Sequence, residues 1–162
     1  MVRTVLCSLA VSVLGLTGCT ASEPADQPRG ASATVAVADR TQALWAGRTA
    51  YVGDSSKVVA LVDAAGFGPR GTYSLALWTT RPPYAVTITL SDTGKPFGTT
   101  DLRAPATLLL GTVTNLDTVN VTSAGQTYTL TARQATAALG RDVKTLGTDR
   151  GGLEDYVASL DD

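Results

Sequence analysis

Residues 73–90 read YSLALWTTRPPYAVTITL and carry the clearest structural pattern in the chain. Large apolar residues occupy every second position on each side of a proline pair: Tyr73, Leu75 and Leu77, and then Tyr84, Val86, Ile88 and Leu90. Side chains of a strand point alternately to its two faces, so this period of two predicts two half-buried β-strands. Because the connection through Pro82 and Pro83 is short, we expect the two strands to pair antiparallel.

A helix is predicted just before these strands, at residues 55–65. Asp54 or Ser55 is a suitable N-cap, because a short polar side chain can accept from the free amides at a helix start. Gly66 is typical of a helix end. The predicted apolar stripe of this helix consists of Val58, Val59, Leu61 and Val62.

The order helix, strand, strand occurs a second time. Pro105, which is tolerated in a first helical turn, opens a predicted helix at residues 106–115. The residues expected inside are Leu108, Leu109 and Val113. Strands at 119–122 and 127–130 follow, joined by a turn at 123–126.

Further helices are predicted at both ends of the domain. Residues 35–45 fit a helix, although the alternation of valine and alanine leaves a strand open. Thr131 and Gln134 have the spacing of a capping box, which predicts a short helix from there to Leu139, and a last helix is expected at 152–160. The predicted fold is therefore an α+β two-layer sandwich, with a mainly antiparallel sheet from two helix-strand-strand units and further C-terminal helices.

The N-terminus resembles the signal sequence of a bacterial lipoprotein. Arg3 supplies a positive charge, and an apolar run at 4–16 follows that is too short to span a bilayer stably. Residues 16–19 read LTGC and resemble a lipobox, with the small Gly18 before the cleavage point. This resemblance implies that Cys19 receives a lipid and becomes the new N-terminus.

Three segments are therefore expected. Residues 1–18 form a lipoprotein signal peptide, 19–34 the lipidated cysteine with a flexible tether, and 35–162 a single α+β domain. The tether is predicted because it contains two prolines and no large apolar side chain. The expected location is the cell membrane, lipid-anchored on the extracytoplasmic side. The alternative is an ordinary secretory signal with an incidental cysteine.

Composition excludes several function classes. The chain has no histidine and two cysteines, one inside the signal and one at the proposed anchor. Catalysis by Ser-His-Asp or Cys-His systems is therefore excluded. Disulfides within the domain and the usual zinc sites are excluded for the same reason. Cleavage leaves 12 basic against 14 acidic residues, a net charge of −2, so no nucleic-acid partner is expected. Residues 55–57 do not have the Ser-x-x-Lys spacing of serine-lysine acylases, and residues 144–146 lack the glycine of their Lys-Thr-Gly motif. The aspartates do not have the spacing of a calcium-binding loop. No cofactor and no metal are predicted.

Residues 51–58, YVGDSSKV, resemble the signature of a secreted bacterial family, domain of unknown function 4825. Weaker matches are PYAV at 83–86, NLDTV at 115–119 and YTLT at 128–131. The resemblance covers roughly residues 45–156. It implies an exported, membrane-attached domain, and it carries over no catalytic residue because no activity is assigned to the family.

One group of residues is a candidate site for a ligand or partner: Tyr51, Gly53, Asp54, Lys57 and Tyr84. We call this group the predicted corner. Free amides at a helix start, beside Lys57 and two tyrosines, would suit an anionic or peptide ligand. A structural role is favoured, because Gly53 permits an unusual turn, Asp54 caps the helix and Lys57 is solvated.

The function predicted from the sequence is a non-catalytic, lipid-anchored binding or interaction module at the cell membrane. Its expected partners are the membrane, through the anchor, and a membrane-protein or envelope partner. The alternatives are a cell-envelope hydrolase that uses carboxylates only, and a structural accessory of a membrane complex.

Overall fold

A computed structural model of the protein describes residues 29–70, 72–91 and 96–160. The signal peptide, Cys19 and most of the predicted tether lie outside these ranges. The helices are α1 (Arg29–Gly47), α2 (Ser55–Ala64), α3 (Arg103–Thr112), α4 (Ala132–Leu139) and α5 (Arg150–Ala158). The strands are β1 (Tyr73–Trp78), β2 (Ala85–Leu90), β3 (Thr118–Ser123) and β4 (Gln126–Thr131).

The four strands form one sheet in the order β1-β2-β3-β4. The outer pairs, β1 with β2 and β3 with β4, are antiparallel hairpins, whereas the central pair of β2 and β3 is parallel. A parallel pair needs a long crossover connection, and α3 supplies it. The predicted α+β sandwich built from two helix-strand-strand units is confirmed.

The core lies between one face of the sheet and the helices. Apolar side chains at alternate positions of β2 and β3, such as Val86, Ile88 and Val121, are buried there. The helix α3 is buried from Ala104 to Thr112 because it contacts β3, β4, α1, α2 and α4. Among the helices in the described ranges, none combines the length and apolar composition needed to cross a membrane.

Several boundaries differ from the predictions. The helix α1 begins at Arg29, inside the predicted tether, because the alanine-rich residues after Pro28 favour a helix. The strand alternative for residues 35–45 is therefore wrong. The helix α3 lies three residues earlier than predicted, since Val113 is extended and bridges Thr49. Val59 is 43% exposed, so its place in the buried stripe of α2 is wrong. With about 3.6 residues per turn, Val58, Leu61 and Val62 lie within one arc of about 100° around the helix, whereas Val59 lies outside that arc.

Both predicted caps are confirmed. Asp54 is the N-cap of α2. Thr131 and Gln134 form a capping box at α4: the Gln134 amide donates to Thr131 Oγ1 at 3.3 Å, and the Thr131 amide donates to Gln134 Oε1 at 2.9 Å. The helix α4 ends at Gly140, whose positive φ of 69° favours glycine.

A 3-10 helix at Val143–Gly147 was not predicted, and it packs against the end of α3. A Cβ on Gly111 of α3 would lie 2.7 Å from Leu146 Cβ and 2.8 Å from the Val143 carbonyl oxygen. Such distances are shorter than real Cβ contacts, so this close approach requires a glycine.

Lys144 of the 3-10 helix satisfies carbonyl groups at and just beyond the end of α3. Its Nζ donates to the carbonyl oxygens of Leu110, Val113 and Leu116 at 2.7, 3.0 and 2.6 Å. The last carbonyls of a helix have no partner within the helix, and a cation suits the negative end of the helix dipole. Burial lowers the pKa of Lys144 to about 8, although nearby Asp117 and Asp142 act to raise it.

Candidate functional site

Most of the predicted corner lies in the loop between α1 and α2. Asp54 Oδ1 accepts from the Lys57 amide at 3.4 Å, and Asp54 Oδ2 lies 3.7 Å from Lys57 Nζ. Asp54 and Lys57 therefore interact with each other, whereas the ring of Tyr51 is 70% exposed. A Cβ placed on Gly53 would lie 3.8 Å from the Thr79 methyl group, so the loop passes beside the end of β1.

Tyr84 stands just before β2 and is held by the segment before β3. Its amide donates to Asp117 Oδ2 at 2.7 Å, and its carbonyl oxygen accepts from the Asp117 and Thr118 amides at 3.0 and 3.1 Å. Asn115, two residues earlier, accepts from the Val52 amide through Oδ1 at 2.7 Å. One short segment therefore fixes both parts of the predicted corner at the same end of the sheet.

Asn115 and Asp117 were not predicted as functional or positioning residues, because their segment, NLDTV, was considered only as a weaker match to the family. Short amide and carboxylate side chains frequently bond to backbone groups in turns, and this was the available signal. Their partners lie 63 and 33 residues away along the chain. Partners so far apart along the chain cannot be recognised from a local sequence pattern.

The end of the sheet beside the predicted corner is here called the tip. The strand register aligns one residue of each strand across it: Trp78, Ala85, Thr118 and Thr131. Trp78 is 50% exposed, and its indole Nε1 donates to the Arg81 carbonyl oxygen at 3.1 Å. The tip thus carries two exposed aromatic rings, Tyr51 and Trp78.

A groove of about 650 Å³ opens at the tip. Its lining comes from three separate segments: Pro82 and Pro83, Asp117 and Thr118, and Thr131, Ala132 and Arg133. The bond between Pro82 and Pro83 is cis. The groove offers apolar walls with one carboxylate and one guanidinium, a composition that suits binding. None of the five predicted corner residues lines it.

A second pocket, of about 390 Å³, contains the carboxylates of Asp63 and Asp101 together with Arg40. Asp63 Oδ1 accepts from the Tyr73 hydroxyl at 2.6 Å, and burial together with this bond raises the pKa of Tyr73. Arg40 donates to the Ala64 and Ala65 carbonyl oxygens at 3.1 and 2.7 Å. Arg40 therefore provides hydrogen-bond donors for the carbonyl groups at the end of α2.

Metal ligands do not gather in the described ranges. Among residues 29–70, 72–91 and 96–160, histidine, cysteine, aspartate and glutamate side chains nowhere form a group of three or more that could hold a metal ion. The tip presents exposed aromatic rings, threonine hydroxyl groups and the two charges of the groove.

A family model described as Domain of unknown function (DUF4825) matches residues 44–133, more than half of the chain. The chain belongs to this family. No curated protein and no solved structure matches the chain significantly. The DUF4825 match contains the loop after α1, the whole sheet and every residue that lines the groove, whereas Lys144 and α5 lie beyond it. The tip is therefore built entirely within the family domain.

Proposed function

We propose that this DUF4825 protein is a non-catalytic, lipid-anchored module on the extracytoplasmic side of the cell membrane, which binds an envelope partner through its tip. The observation that carries the proposal is the tip itself. It combines a groove of about 650 Å³ with two exposed aromatic side chains, Tyr51 and Trp78. Tyrosine and tryptophan supply large contact areas and are enriched in binding surfaces.

The helix α1 separates the tip from the proposed anchor. Its 19 residues span about 28 Å. Gly47 ends α1 next to the loop of the predicted corner, whereas Arg29, which begins α1, follows Cys19 by ten positions in the sequence. Even fully extended, the segment from Cys19 to Arg29 reaches only about 35 Å. A lipid on Cys19 would hold the domain near the membrane, with its tip at the far end of α1.

The sequence supports the anchor and the absence of catalysis. Residues 1–18 have the form of a lipoprotein signal, and LTGC at 16–19 resembles a lipobox. The chain has no histidine, and its two cysteines, Cys7 and Cys19, both precede α1. The nucleophile and base systems that need these residues are therefore excluded.

The anchor is tested by Cys19→Ser. We expect the variant to appear in the soluble fraction or to stay uncleaved, because the thiol is the acceptor of the lipid. Cells grown with labelled palmitate are fractionated, and label on the native protein is compared with label on the variant. Membrane retention of both proteins, with no label on the native one, would contradict lipid anchoring.

The binding surface is tested by charge reversal in the groove. Arg133→Glu places an acidic residue in the first turn of α4, where the helix dipole favours it, so the fold is kept. We expect it to abolish capture of a crosslinked envelope partner. The matched control is Arg103→Glu, an exposed arginine in the first turn of α3, at the other end of that helix from the tip. Equal capture by both variants would contradict a role for the groove.

The alternative is a cell-envelope hydrolase that uses carboxylates alone. One observation favours it, since Asp63 and Asp101 line the same pocket. This function requires turnover of envelope polymers by the purified protein, and Asp63→Asn and Asp101→Asn would each abolish that turnover. Turnover that both variants retain would exclude this pocket as its site.

A further inference from the structure

The sheet has a second face, opposite the core, with an unusual composition. It contains three residues of each of the four strands, twelve in all: Ser74, Ala76 and Trp78; Ala85, Thr87 and Thr89; Thr118, Asn120 and Thr122; and Thr127, Thr129 and Thr131. We call this the threonine face. In the described part of the chain, the buried apolar side chains of the sheet and the helices lie on the other side.

None of the twelve residues is charged. At the chain's own average of 17% charged residues, about two would be expected. Exposed edge strands are ordinarily protected by charged side chains, so an uncharged face that includes both edge strands is notable. A charged ligand would find no oppositely charged partner on the threonine face. A neutral ligand would leave no charged side chain of this face unpaired when it binds.

Hydrogen bonds order the side chains across three strands of this face. Thr129 Oγ1 donates to Asn120 Oδ1 at 2.8 Å, and Asn120 Nδ2 donates to Thr87 Oγ1 at 3.5 Å. In the next row Thr122 Oγ1 donates to Thr89 Oγ1 at 3.0 Å. Each hydroxyl has one donor and two acceptor sites, so these bonds fix the side chains and leave further capacity for a ligand.

The face is continuous with the tip. Thr118 and Thr131 belong both to the threonine face and to the lining of the groove. Trp78 stands at the corner of the same row, on edge strand β1, with half of its surface exposed. With strands about 4.8 Å apart and residues rising about 3.3 Å, the face measures roughly 14 Å by 17 Å. This is large enough for several sugar rings.

We propose that the threonine face binds a neutral β-1,4-linked glycan strand of the cell envelope. Such a strand is an extended ribbon with hydroxyl groups along its edges and apolar C–H groups on the faces of its rings. Ordered threonine hydroxyls and the Asn120 amide match its edges, and the exposed ring of Trp78 stacks on a sugar face. The inference rests on the proposed function, because that function places the domain outside the cytoplasm.

The test is titration of the purified full-length protein, held in detergent micelles, with hexa-N-acetylchitohexaose followed by calorimetry. We expect saturable binding, and no binding of maltohexaose, an equally neutral α-linked chain of different shape. Trp78→Ala should lower the affinity by about tenfold or more, the change that loss of one good contact produces. Val59→Ala is the control, since it removes an exposed apolar side chain of α2 that belongs to neither the face nor the groove, and it should leave the affinity unchanged.

A second variant tests the hydroxyl groups without a change of shape. Thr89→Val together with Thr122→Val keeps β-branched side chains, so the strands are preserved, and its thermal melt should match that of the native protein. We expect it to weaken chitohexaose binding, again by about tenfold. Unchanged affinity in this variant or in Trp78→Ala would overturn the proposal, as would equal binding of maltohexaose.

Two other outcomes also overturn the glycan proposal. One is the absence of chitohexaose binding. The other is a concentration-dependent dimer that the Thr89 and Thr122 substitutions alter, which would assign the face to a second copy of the chain. Lipid label on Cys19 and partner capture sensitive to Arg133→Glu are measured independently. If these persist while chitohexaose does not bind, the glycan proposal alone has failed.

Discussion

Lys144→Met removes three hydrogen bonds at once while keeping an apolar side chain of similar length. The carbonyl oxygens of Leu110, Val113 and Leu116 then lose the donor that reaches them at 2.6–3.0 Å. The Val113 carbonyl keeps the Leu116 amide as a donor at 3.2 Å, so the carbonyls of Leu110 and Leu116 are the ones left without a partner. Each such buried acceptor costs about 1–3 kcal/mol, but the variant no longer has to dehydrate an ammonium group. We expect a net loss of about 2–4 kcal/mol in the free energy of unfolding, a large part of the 5–15 kcal/mol typical of a domain.

The measurement is urea unfolding followed by circular dichroism, with Lys57→Met as the matched control. Lys57 is exposed and its ion pair with Asp54 has a separation of 3.7 Å, so its loss should change stability by less than about 0.5 kcal/mol. The midpoint of thermal unfolding should fall by about 10 °C in Lys144→Met. A Lys144→Met variant that unfolds within about 0.5 kcal/mol of the native protein would refute the argument, because then Lys144 does not satisfy those carbonyls to any useful extent.

Three further outcomes are expected. Gly111→Ala should destabilise the domain by about 1–3 kcal/mol, because the new Cβ would lie 2.7 Å from Leu146 Cβ. Gly98→Ala is the control and should not destabilise the domain, because no atom lies within 4 Å of a Cβ at that position. Equal urea midpoints for the two variants would contradict this. Asp54→Asn should keep near-native stability and partner capture, because asparagine also caps a helix. Asp54→Ala removes the cap, so its free energy of unfolding should fall by about 1 kcal/mol. If Asp54→Asn loses partner capture while its thermal melt is unchanged, a partner recognises the carboxylate itself. Lys144 should contribute stability that rises with pH between about 8 and 10.5, because its lowered pKa makes the folded chain release this proton before the unfolded chain does. This contribution should be absent in Lys144→Met, and a pH titration of the urea midpoint measures it.

Local elements of the fold followed from the sequence because their signals are local. The period of two in residues 73–90 predicted β1 and β2, and the spacing of Thr131 and Gln134 predicted the start of α4. The partners of Lys144 lie 28 to 34 residues away, so the sequence offered no pattern for them. The 3-10 helix was missed although it has a local signal, because Asp142 is its N-cap and Asp142 Oδ1 accepts from the Lys144 backbone amide at 3.0 Å.

The candidate site divides in the same way. Asp54 was predicted as a cap because its partner amide belongs to a residue three positions later. The groove was not predicted, because it joins residues 82–83, 117–118 and 131–133, which only the folded sheet brings together. Tyr84 was singled out for its side chain, whereas the structure shows its backbone bound to Asp117.

The threonine face depends on the one strand pairing that no local pattern specifies. In β2, β3 and β4 the inward-facing side chains alternate mainly with threonine, and that alternation is visible in the sequence. The parallel pairing of β2 with β3 sets Thr87 against Asn120 and Thr89 against Thr122, and so joins the two hairpins into one surface. A slip of one residue would turn the threonines of one hairpin toward the core. Burial of Val86, Ile88 and Val121 on the other side therefore fixes the array of hydroxyl groups, and the glycan proposal rests on a register that the core enforces.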